Sequence, residues 1–290
     1  MLYGISKISW HLSRLKTLKR GNMKNTFVVL ILTFFVSFVE ASVRLYVFDC
    51  GHIYRDDISD FGLSNEETDV RELFVACYLI DHPDGKMIWD AGLPLDLVGP
   101  RRAGANNWYD RSIIDQLADI GVEPRDIVFA AYSHFHYDHV GAANAFNDAT
   151  LLIQESEYYA AFHDAVNNPI FRPPLYTELA ESTKLLLQGD HDVFGDGSVV
   201  ILSAPGHTPG HQALKLELEN YGPLILSGDL YHFEASRMLR RTPVFNTDSA
   251  ETLRSMNKIE VIRQESGATF WIQHNLELAN SLNLSPYYYD

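Results

Sequence analysis

The feature that most constrains this sequence is a cluster of four potential metal ligands that directly follows an apolar, strand-like segment. The segment DIVFAAY precedes Ser133–His139, which reads SHFHYDH. Imidazoles and carboxylates this close together are costly to desolvate without a cation. Alternate residues of an extended segment point the same way, so His134 and His136 can bind one ion while Asp138 and His139 turn towards a second. Such donors suit zinc or a similar first-row metal.

Three further candidate ligands stand at the ends of strand-like segments downstream. His207 lies in the loop APGHTPGH, Asp229 ends the apolar segment LILSGD, and His274 follows the predicted strand Thr269–Ile272. Together with the cluster they make seven ligands, the number expected for two ions that share a bridging group. A purely architectural zinc site is less favoured, because such sites prefer cysteine and need only four ligands. His211, in the same loop as His207, is expected to pack within the loop and is not counted as a ligand.

The charge distribution argues against nucleic-acid substrates. The chain has 290 residues and a formal net charge of −15. Residues 1–41 hold six cations and one anion, so the rest of the chain carries 17 basic and 37 acidic groups. Such an acidic body repels phosphate backbones and anionic membranes. We therefore expect a neutral or weakly charged small molecule as the partner, and no nucleic acid.

The N-terminal segment is predicted to be a secretory signal. Cations precede a fourteen-residue apolar run, Thr26–Val39, and small or medium residues flank a cleavage position after Ala41. At ~1.5 Å per residue the run spans about 21 Å, less than the roughly 30 Å that a transmembrane helix needs. We predict a signal peptide in residues 1–41 with translation starting at Met23, a periplasmic or secreted protein, and no stable membrane insertion after cleavage. An uncleaved anchor is the alternative.

Residues 42–290 are predicted to form one α/β domain of packed sheets with helices outside. Apolar segments rich in β-branched residues predict strands, and helical periodicity with capping signals predicts helices. The predicted strands are Val43–Cys50, Leu73–Ile80, Lys86–Trp89, Asp126–Tyr132, Thr150–Ile153, Val199–Ser203, Ala213–Glu217, Leu224–Ser227 and Thr269–Ile272. The predicted helices are Ser112–Ile120, Glu155–Ala165 and Ser249–Ser266. Leu93–Arg111 and Asn167–Thr177 contain no clear element and are expected to be binding loops or lids.

The two cysteines lie in apolar, strand-like segments. We expect Cys50 and Cys77 to be buried free thiols, with a single disulfide as the alternative that an oxidising compartment allows. Neither has a nearby His or Asp at a spacing that suits catalysis.

The combined motifs resemble the metallo-β-lactamase superfamily. The resemblance is carried by HxHxDH at 134–139, PGHTPGH at 205–211, SGD at 227–229 and the late His274, and Ile88–Gly92 (IWDAG) resembles the early strand–Asp–x–Gly motif of that family. It covers nearly all of the chain after the predicted signal. It implies a four-layer αβ/βα sandwich, in which two mixed β-sheets pack face to face with helices outside and a dinuclear metal site lies at one edge.

The resemblance also implies a metal ligand at each of seven positions. The implied ligands are His134, His136 and His207 for one metal, Asp138, His139 and His274 for the other, and Asp229 as the bridge. The implied cofactor is two Zn²⁺ per chain, with other first-row divalent metals as the alternative.

Finer details resemble the N-acyl-homoserine lactonase branch of the superfamily. His136 stands where the oxygen-reducing di-iron branch has a carboxylate, which favours a hydrolase. Residues 115–118, 189–194 and 245–248 are similar to the lactonase branch. The resemblance therefore implies a quorum-quenching enzyme that opens the lactone ring of N-acyl-homoserine lactones, and an exported enzyme of this kind would meet a neutral, diffusible signal.

Two positions depart from the pattern of that branch. A Tyr usually stands three residues after the bridging Asp and contacts the lactone, whereas His232 occupies this position here, with Tyr231 beside it. Either side chain is a candidate hydrogen-bond donor to the substrate. The acid that usually follows the late ligand is replaced by Asn275, which predicts a weaker orientation of His274.

The hypothesis for the reaction is attack of a metal-bridging hydroxide on the lactone carbonyl, without a covalent enzyme intermediate. Asp229 is expected to shuttle the proton, and His232 or Tyr231 to stabilise the oxyanion. The catalytic candidates are Asp229, Asp138, His232 and Tyr231. The candidate substrate contacts are Tyr137, His232, Trp108, Tyr109, Phe171 and Tyr176.

Two kinds of alternative function stay open at this stage. One is another ester, thioester or lactone hydrolase of the same fold, such as a glyoxalase II-like thioesterase or a β-lactam hydrolase. The other, from a different class, is a metal-dependent binding protein without turnover. The sequence is compatible with a homodimer and does not require one.

Overall fold

The computed structural model describes residues 42–165 and 170–290. The predicted signal peptide, with its start at Met23 and its cleavage after Ala41, lies outside the described residues, as do residues 166–169 of the second predicted loop. The signal and the extent of a single domain therefore stay predictions. Within the described ranges, no helix combines the length and the apolar character that crossing a bilayer requires.

Two mixed β-sheets form the centre of the described chain. The first contains β1 (Arg44–Tyr54), β2 (Glu72–His82), β3 (Gly85–Trp89), β4 (Asn107–Trp108), β5 (Ile127–Ala131), β6 (Thr150–Gln154), β7 (Lys184–Leu187) and β13 (Tyr288–Tyr289). The second contains β8 (His191–Asp192), β9 (Val199–Ser203), β10 (Gln212–Leu218), β11 (Gly222–Leu226) and β12 (Thr269–Trp271). The strand orders are β13-β1-β2-β3-β5-β6-β7, with β4 paired to β1, and β12-β11-β10-β9-β8. The β3–β5–β6–β7 and β11–β12 pairs are parallel.

The inner faces of the two sheets share one apolar cluster. Val47 of β1 and Trp89 of β3 are fully buried in the same cluster as Leu214, Leu224 and Trp271 of the second sheet. Side chains from two facing sheets interdigitate in this way in a β-sandwich. Burial of these side chains removes apolar area from water, which is the main stabilising contribution to such a fold.

Helices cover the outer faces of both sheets. The covering helices are α1 (Ile113–Asp119), α2 (Glu155–Phe162) and α4 (Ser249–Ser266). Two shorter helices are α3 (Glu234–Leu239) and α5 (Leu276–Ser281), and Ala279 of α5 is buried in the apolar cluster that the two sheets share. Leu117 of α1 and Ala161 of α2 are buried against the first sheet. Met256 and Ile259 of α4 are buried against the second. The layers therefore run helix, sheet, sheet, helix, and the predicted four-layer αβ/βα sandwich is confirmed.

The best predicted helix is the one with the clearest capping signals. The Asp248 side chain accepts a hydrogen bond from the Glu251 N–H at 2.9 Å, which satisfies a backbone donor at the first turn of α4. Gly267 ends the helix at φ 68°, a left-handed conformation in which glycine carries no steric penalty. The observed helix has the predicted bounds, Ser249–Ser266.

Several short elements were missed by the prediction. They are β4, β7, β8, β13, α3 and α5, each two to six residues long. Segments this short show no periodicity that distinguishes a helix or strand from a loop. β4 lies inside the predicted loop Leu93–Arg111 and pairs with β1, which continues past Cys50 through an irregularity between Asp49 and His52.

The expectation of two free thiols is wrong, because Cys50 and Cys77 form a disulfide. Cys77 lies opposite Phe48 in the antiparallel pairing of β1 with β2. Cys50 follows Phe48 two residues later on the same face of the sheet, so the two sulfurs meet diagonally. Composition alone could not show this, since strand register decides which buried side chains meet.

Replacing both cysteines with Ala should lower the free energy of unfolding by about 3–4 kcal/mol, because the bond constrains an unfolded chain between residues 27 positions apart. Urea unfolding of the reduced, oxidised and double-Ala proteins measures this difference. A thiol-alkylating reagent should not label the denatured wild-type chain before reduction. After reduction of the disulfide, the same reagent should add two labels. Labelling before reduction would contradict the disulfide.

Candidate metal centre

The seven predicted ligands converge at one edge of the sandwich. The loops that carry them follow β5, β9, β11 and β12. Every one of these side chains is about nine-tenths buried or more. Their donor atoms fall into two compact groups, the first formed by His134, His136, His207 and Asp229 and the second by Asp138, His139 and His274.

The carboxylate of Asp229 lies between the two groups. Its Oδ2 is 3.4 Å from His207 Nε2 and 3.6 Å from His134 Nε2, on the side of the first group. Its Oδ1 is 3.0 Å from His274 Nε2 and 3.3 Å from His139 Nε2, on the side of the second. One carboxylate therefore faces donor atoms of both groups, as a bridging ligand must.

The geometry fits metal ions better than hydrogen bonding alone. His207 Nε2 is 3.2 Å from His134 Nε2 and 3.1 Å from His136 Nδ1, so three imidazole nitrogens point at one another. His139 Nε2 and Asp229 Oδ1 are buried and lack an aligned hydrogen-bond partner, although they lie close together. Buried polar atoms without partners are rare and costly. Metal ions bound between these nitrogen and oxygen atoms would supply the missing partners.

The protonation states of the first group fit cation binding. Burial lowers the pKa of His136 to about 3 and holds the pKa of His134 and His207 well below the ordinary value, so these three imidazoles are neutral. Burial alone would raise the pKa of Asp229, but the neighbouring imidazoles, led by His232, outweigh it and hold that pKa well below its ordinary value. Neutral imidazoles and ionised carboxylates are the forms that bind metals.

The protonation states of the second group differ from those of the first. For His139 and His274, burial lowers the pKa, but Asp229 and the neighbouring carboxylates outweigh it and raise that pKa, so an ion bound there would displace protons.

Asp90 supports the second group from below. It is fully buried and has a positive φ of 60°, at the turn that follows β3. Its Oδ1 accepts a 2.6 Å hydrogen bond from Ser133 N–H, and its Oδ2 lies 2.9 Å from His139 Nδ1. A carboxylate at the rear nitrogen of a ligating His fixes the ring orientation. Asp90 is the acid of the IWDAG segment, which resembles the early strand–Asp–x–Gly motif of the superfamily.

The rings of His207 and His274 are oriented by uncharged hydrogen-bond acceptors, in contrast to His139, which is held by Asp90. His274 Nδ1 is 2.8 Å from the Phe74 carbonyl, and His207 Nδ1 is 2.9 Å from Asn246 Oδ1. Asn275 caps α5 by accepting a hydrogen bond from Leu278 N–H. The absence of an acid at 275 therefore does not leave His274 without orientation, which corrects the expectation of weak support.

His211 packs within its loop, as expected. Its Nδ1 is 3.0 Å from the Ala204 carbonyl, and its Nε2 accepts a 2.9 Å hydrogen bond from Asp229 N–H. Both ring nitrogens are used by the backbone, so His211 positions Asp229 and is not available as a ligand.

A cavity of about 200 Å³ opens above the two groups. Its base contains polar ligand side chains, and its walls contain several apolar ones. The lining residues are Ile53, Arg55, Asp57, Asp60, Phe61, Leu73, His136, Tyr137, Asp138, Ile170, Asp229, His232, Phe245 and His274. A cavity with apolar walls and a few converging polar groups is typical of small-molecule sites.

Four of the predicted substrate contacts do not line this cavity. Tyr109 and Tyr176 are fully buried in the core beneath the helices, and the Tyr176 hydroxyl donates to the Ala161 carbonyl. Phe171 is buried behind His136, with ring centroids 5.7 Å apart. Trp108 stacks between His52 and Arg101, at 5.0 Å and 3.7 Å. The sequence prediction erred because aromatic residues in loops are as readily used for packing as for binding.

Tyr137 and His232 do line the cavity, whereas Tyr231 does not. The Tyr137 hydroxyl accepts a hydrogen bond from Asn107 Nδ2 at 3.3 Å, and burial raises its pKa to about 12. His232 Nε2 is 3.0 Å from Asp229 Oδ2. Tyr231 is buried against the second sheet, and its hydroxyl donates to Glu260. Adjacent residues of the extended segment point in opposite directions, which corrects the expectation that Tyr231 can reach a substrate.

Two of the wall residues that the sequence analysis missed, Phe61 and Phe245, come from two separate loop segments. Phe61 and Phe245 contact each other edge to face, with ring centroids 5.5 Å apart, and both contact the ring of His232. The segments are joined by a 2.8 Å hydrogen bond from Val244 N–H to the Asp60 carbonyl. Phe245 stood in a stretch similar to the lactonase branch, whereas no sequence pattern indicated Phe61.

Comparison with known proteins gives a consistent result. A family model described as the metallo-beta-lactamase superfamily matches residues 70–265. An N-acyl homoserine lactonase, AttM, of Rhizobium johnstonii is 29% identical over 268 residues, which cover 85% of this chain and 98% of that protein. An N-acyl homoserine lactonase, AiiA, of Bacillus thuringiensis subsp. kurstaki is 27% identical over 226 residues, which cover 74% of this chain and 86% of its own.

Solved structures of similar proteins have the same fold. A quorum-quenching N-acyl homoserine lactone lactonase superposes with a TM-score of 0.73 at 25% identity, over 86% of this chain and all of its own. An N-acyl homoserine lactone hydrolase, solved with N-hexanoyl-L-homoserine at its catalytic metal centre, superposes with a TM-score of 0.71 at 23% identity, over 85% of this chain and 99% of its own.

Replacing Asp229 with Ala should lower the metal content from two ions per chain to one or none, because it removes the carboxylate that faces both groups. Elemental mass spectrometry of dialysed protein measures the content, and circular dichroism checks the fold. Asp57→Ala is the matched control, since Asp57 lines the cavity mouth outside both groups. Two retained ions in the Asp229 variant would contradict the assignment.

Proposed function

This chain belongs to the metallo-beta-lactamase superfamily, and we propose that it is a dinuclear-metal hydrolase that opens the lactone ring of N-acyl-homoserine lactones. The observation that carries the proposal is the Asp229 carboxylate, which faces two groups of imidazoles at the base of a cavity with apolar walls. The similarity to N-acyl homoserine lactonases over 85% of the chain supports the choice of substrate.

The residues present fit two Zn²⁺ ions, with other first-row divalent metals as the alternative. Imidazole nitrogens and carboxylate oxygens, without thiolates, are suitable zinc ligands. His134, His136 and His207 would hold one ion, Asp138, His139 and His274 the other, and Asp229 both. Such a pair supplies Lewis acidity, which lowers the pKa of water and polarises an ester carbonyl.

The cavity matches an amphiphile with a polar head and an apolar tail. The cavity of about 200 Å³ lies directly over the ligand side chains, so a small polar head placed there would reach them. The tail would lie along Phe61, Phe245 and Leu73, which line the walls. These side chains also exclude water from the polar base, which strengthens electrostatic interactions there.

His232 is the side chain that we assign to the carbonyl oxygen of the substrate. Its ring lines the cavity and is held by Phe61 and Phe245, with centroids 5.0 Å and 6.0 Å away. Its Nε2 lies 3.0 Å from Asp229 Oδ2, so an N–H there is close to the reacting centre. A fixed donor at a developing oxyanion stabilises the transition state.

Asp138 is better placed than Asp229 to move the proton. The Asp138 side chain lines the cavity and is 12% exposed, whereas Asp229 has imidazole nitrogens around both of its oxygens. Hydrolysis adds water oxygen to the acyl carbon and breaks the ring C–O bond. Asp138 would take the proton that the attacking water loses and deliver it to the leaving ring oxygen, which becomes the hydroxyl group of the product.

We also propose that the protein is exported to the periplasm or secreted. The N-terminal sequence of cations, apolar run and small residues supports this location. The Cys50–Cys77 disulfide adds independent support, because such bonds persist mainly in oxidising compartments.

Purified protein loaded with Zn²⁺ should hydrolyse N-acyl-homoserine lactones to the ring-opened acids, and short acyl chains should suffice for turnover. Parallel assays with lactones of several chain lengths, a thioester and a β-lactam test this expectation by product analysis. Protein stripped by a chelator should be inactive and should recover on adding Zn²⁺. A faster reaction with the thioester or β-lactam would favour that alternative, and no reaction with any substrate would favour a binding protein.

Replacing His232 with Phe should lower kcat/KM for the lactone about 100-fold, because it removes the donor and retains an aromatic ring. His232 lies within ligand distance of Asp229 and His274, but the variant keeps all seven assigned ligands, so the metal content should stay at two ions per chain. Phe245→Leu is a control for altered wall shape and should change mainly KM. Unchanged kcat/KM in His232→Phe would rule out the assigned role.

A further inference from the structure

A buried glutamate that the proposed reaction does not use lies behind the first ligand group. Glu157 is in the first turn of α2 and is 1% exposed. Burial raises the pKa of its carboxyl. A carboxylate is costly to bury unless its oxygens accept hydrogen bonds, so its partners indicate why the position contains an acid.

Each carboxylate oxygen of Glu157 accepts a hydrogen bond from a different ligand loop. The Phe135 N–H, between the two histidines of the first loop, donates to Oε1 at 2.9 Å. The Gly210 N–H, three residues after His207, donates to Oε2 at 2.9 Å. One side chain therefore joins the loop after β5 to the loop after β9.

The second of these loops lies directly against the start of α2. A Cβ on Gly210 would lie 2.5 Å from Glu157 N and 2.8 Å from Ser156 Oγ, so glycine is required for this approach. The Ser156 hydroxyl also donates to the Pro209 carbonyl at 2.9 Å. The first turn of α2 thus binds the loop at two consecutive residues.

The joined loops carry the three imidazoles of the first ligand group. His207 Nε2 lies within 3.2 Å of donor nitrogens of both His134 and His136, so a small shift between the loops would separate them. The second group has different supports. Asp90 holds His139, and the Phe74 carbonyl lies at His274 Nδ1.

We propose that Glu157 is a positioning residue which sets the affinity of the first metal position selectively, by hydrogen bonding the two loops that supply its three histidines. This inference rests on the dinuclear centre proposed above. Glutamine cannot replace Glu157 fully, because its amide nitrogen does not accept a hydrogen bond and one backbone N–H loses its partner.

The test is the Glu157→Gln variant loaded with Zn²⁺ and titrated with a zinc-chelating dye. The wild type should release two ions, and the variant should release one of them with affinity 10–100-fold weaker while the other stays unchanged. The matched control is Glu155→Gln on the same helix, whose carboxylate accepts from Gln188 and contacts neither ligand loop. It should behave as the wild type does.

Equal release of both ions by Glu157→Gln and the wild type would overturn the inference, as would equal weakening of both ions. If the variant fails to fold, Ser156→Ala tests the same turn at an exposed position and should weaken the same single ion by a smaller factor. Unchanged binding in that variant would then count against the inference. A wild-type protein that binds no metal would instead overturn the proposed function.

Discussion

The arrangement of the site depends on one buried carboxylate. Asp229 is 3% exposed, and its two oxygens face imidazoles from all the other ligand loops. A charge at this depth is tolerated only where opposite charge or directed donors surround it. The ends of both sheets must therefore meet at this residue. The strand that precedes it, β11, is in the interior of the second sheet, where its position is fixed on both sides.

Three buried acids at this edge have three different environments. Asp229 faces imidazole nitrogens, Asp90 holds a backbone N–H and a ligand ring, and Glu157 holds two backbone N–H groups. Among the buried acids at this edge, Asp229 and the less buried Asp138 line the cavity, whereas Asp90 and Glu157 do not. The chemistry of each carboxylate is thus decided by its partners, since the functional group is the same in all of them.

The sequence predicted the ligands and the layers but not the walls. His134, His207 and Asp229 stand at the ends of apolar segments, and the family resemblance implied that these ends meet at one edge. The apolar walls of the cavity depend on how irregular segments fold over that edge. No sequence pattern distinguishes Phe61, which lines the cavity, from Tyr109, which is buried in the core. The disulfide was missed for a related reason, because it depends on register. Contacts between loops that are far apart in the sequence cannot be predicted from local sequence patterns.

The two paired wall segments influence the shape of the cavity, whereas the metal ligands come from other residues. Phe61 and Phe245 contact each other, and the Val244 N–H to Asp60 carbonyl bond joins their backbones, yet neither segment supplies one of the seven ligands. Substitutions at Phe61 can change the shape of the apolar wall without altering a ligand, whereas substitutions near Phe245 must preserve Asn246, whose Oδ1 lies 2.9 Å from His207 Nδ1. Related proteins could therefore differ in the acyl chains that they accept while they keep the same metal ligands and the same reaction.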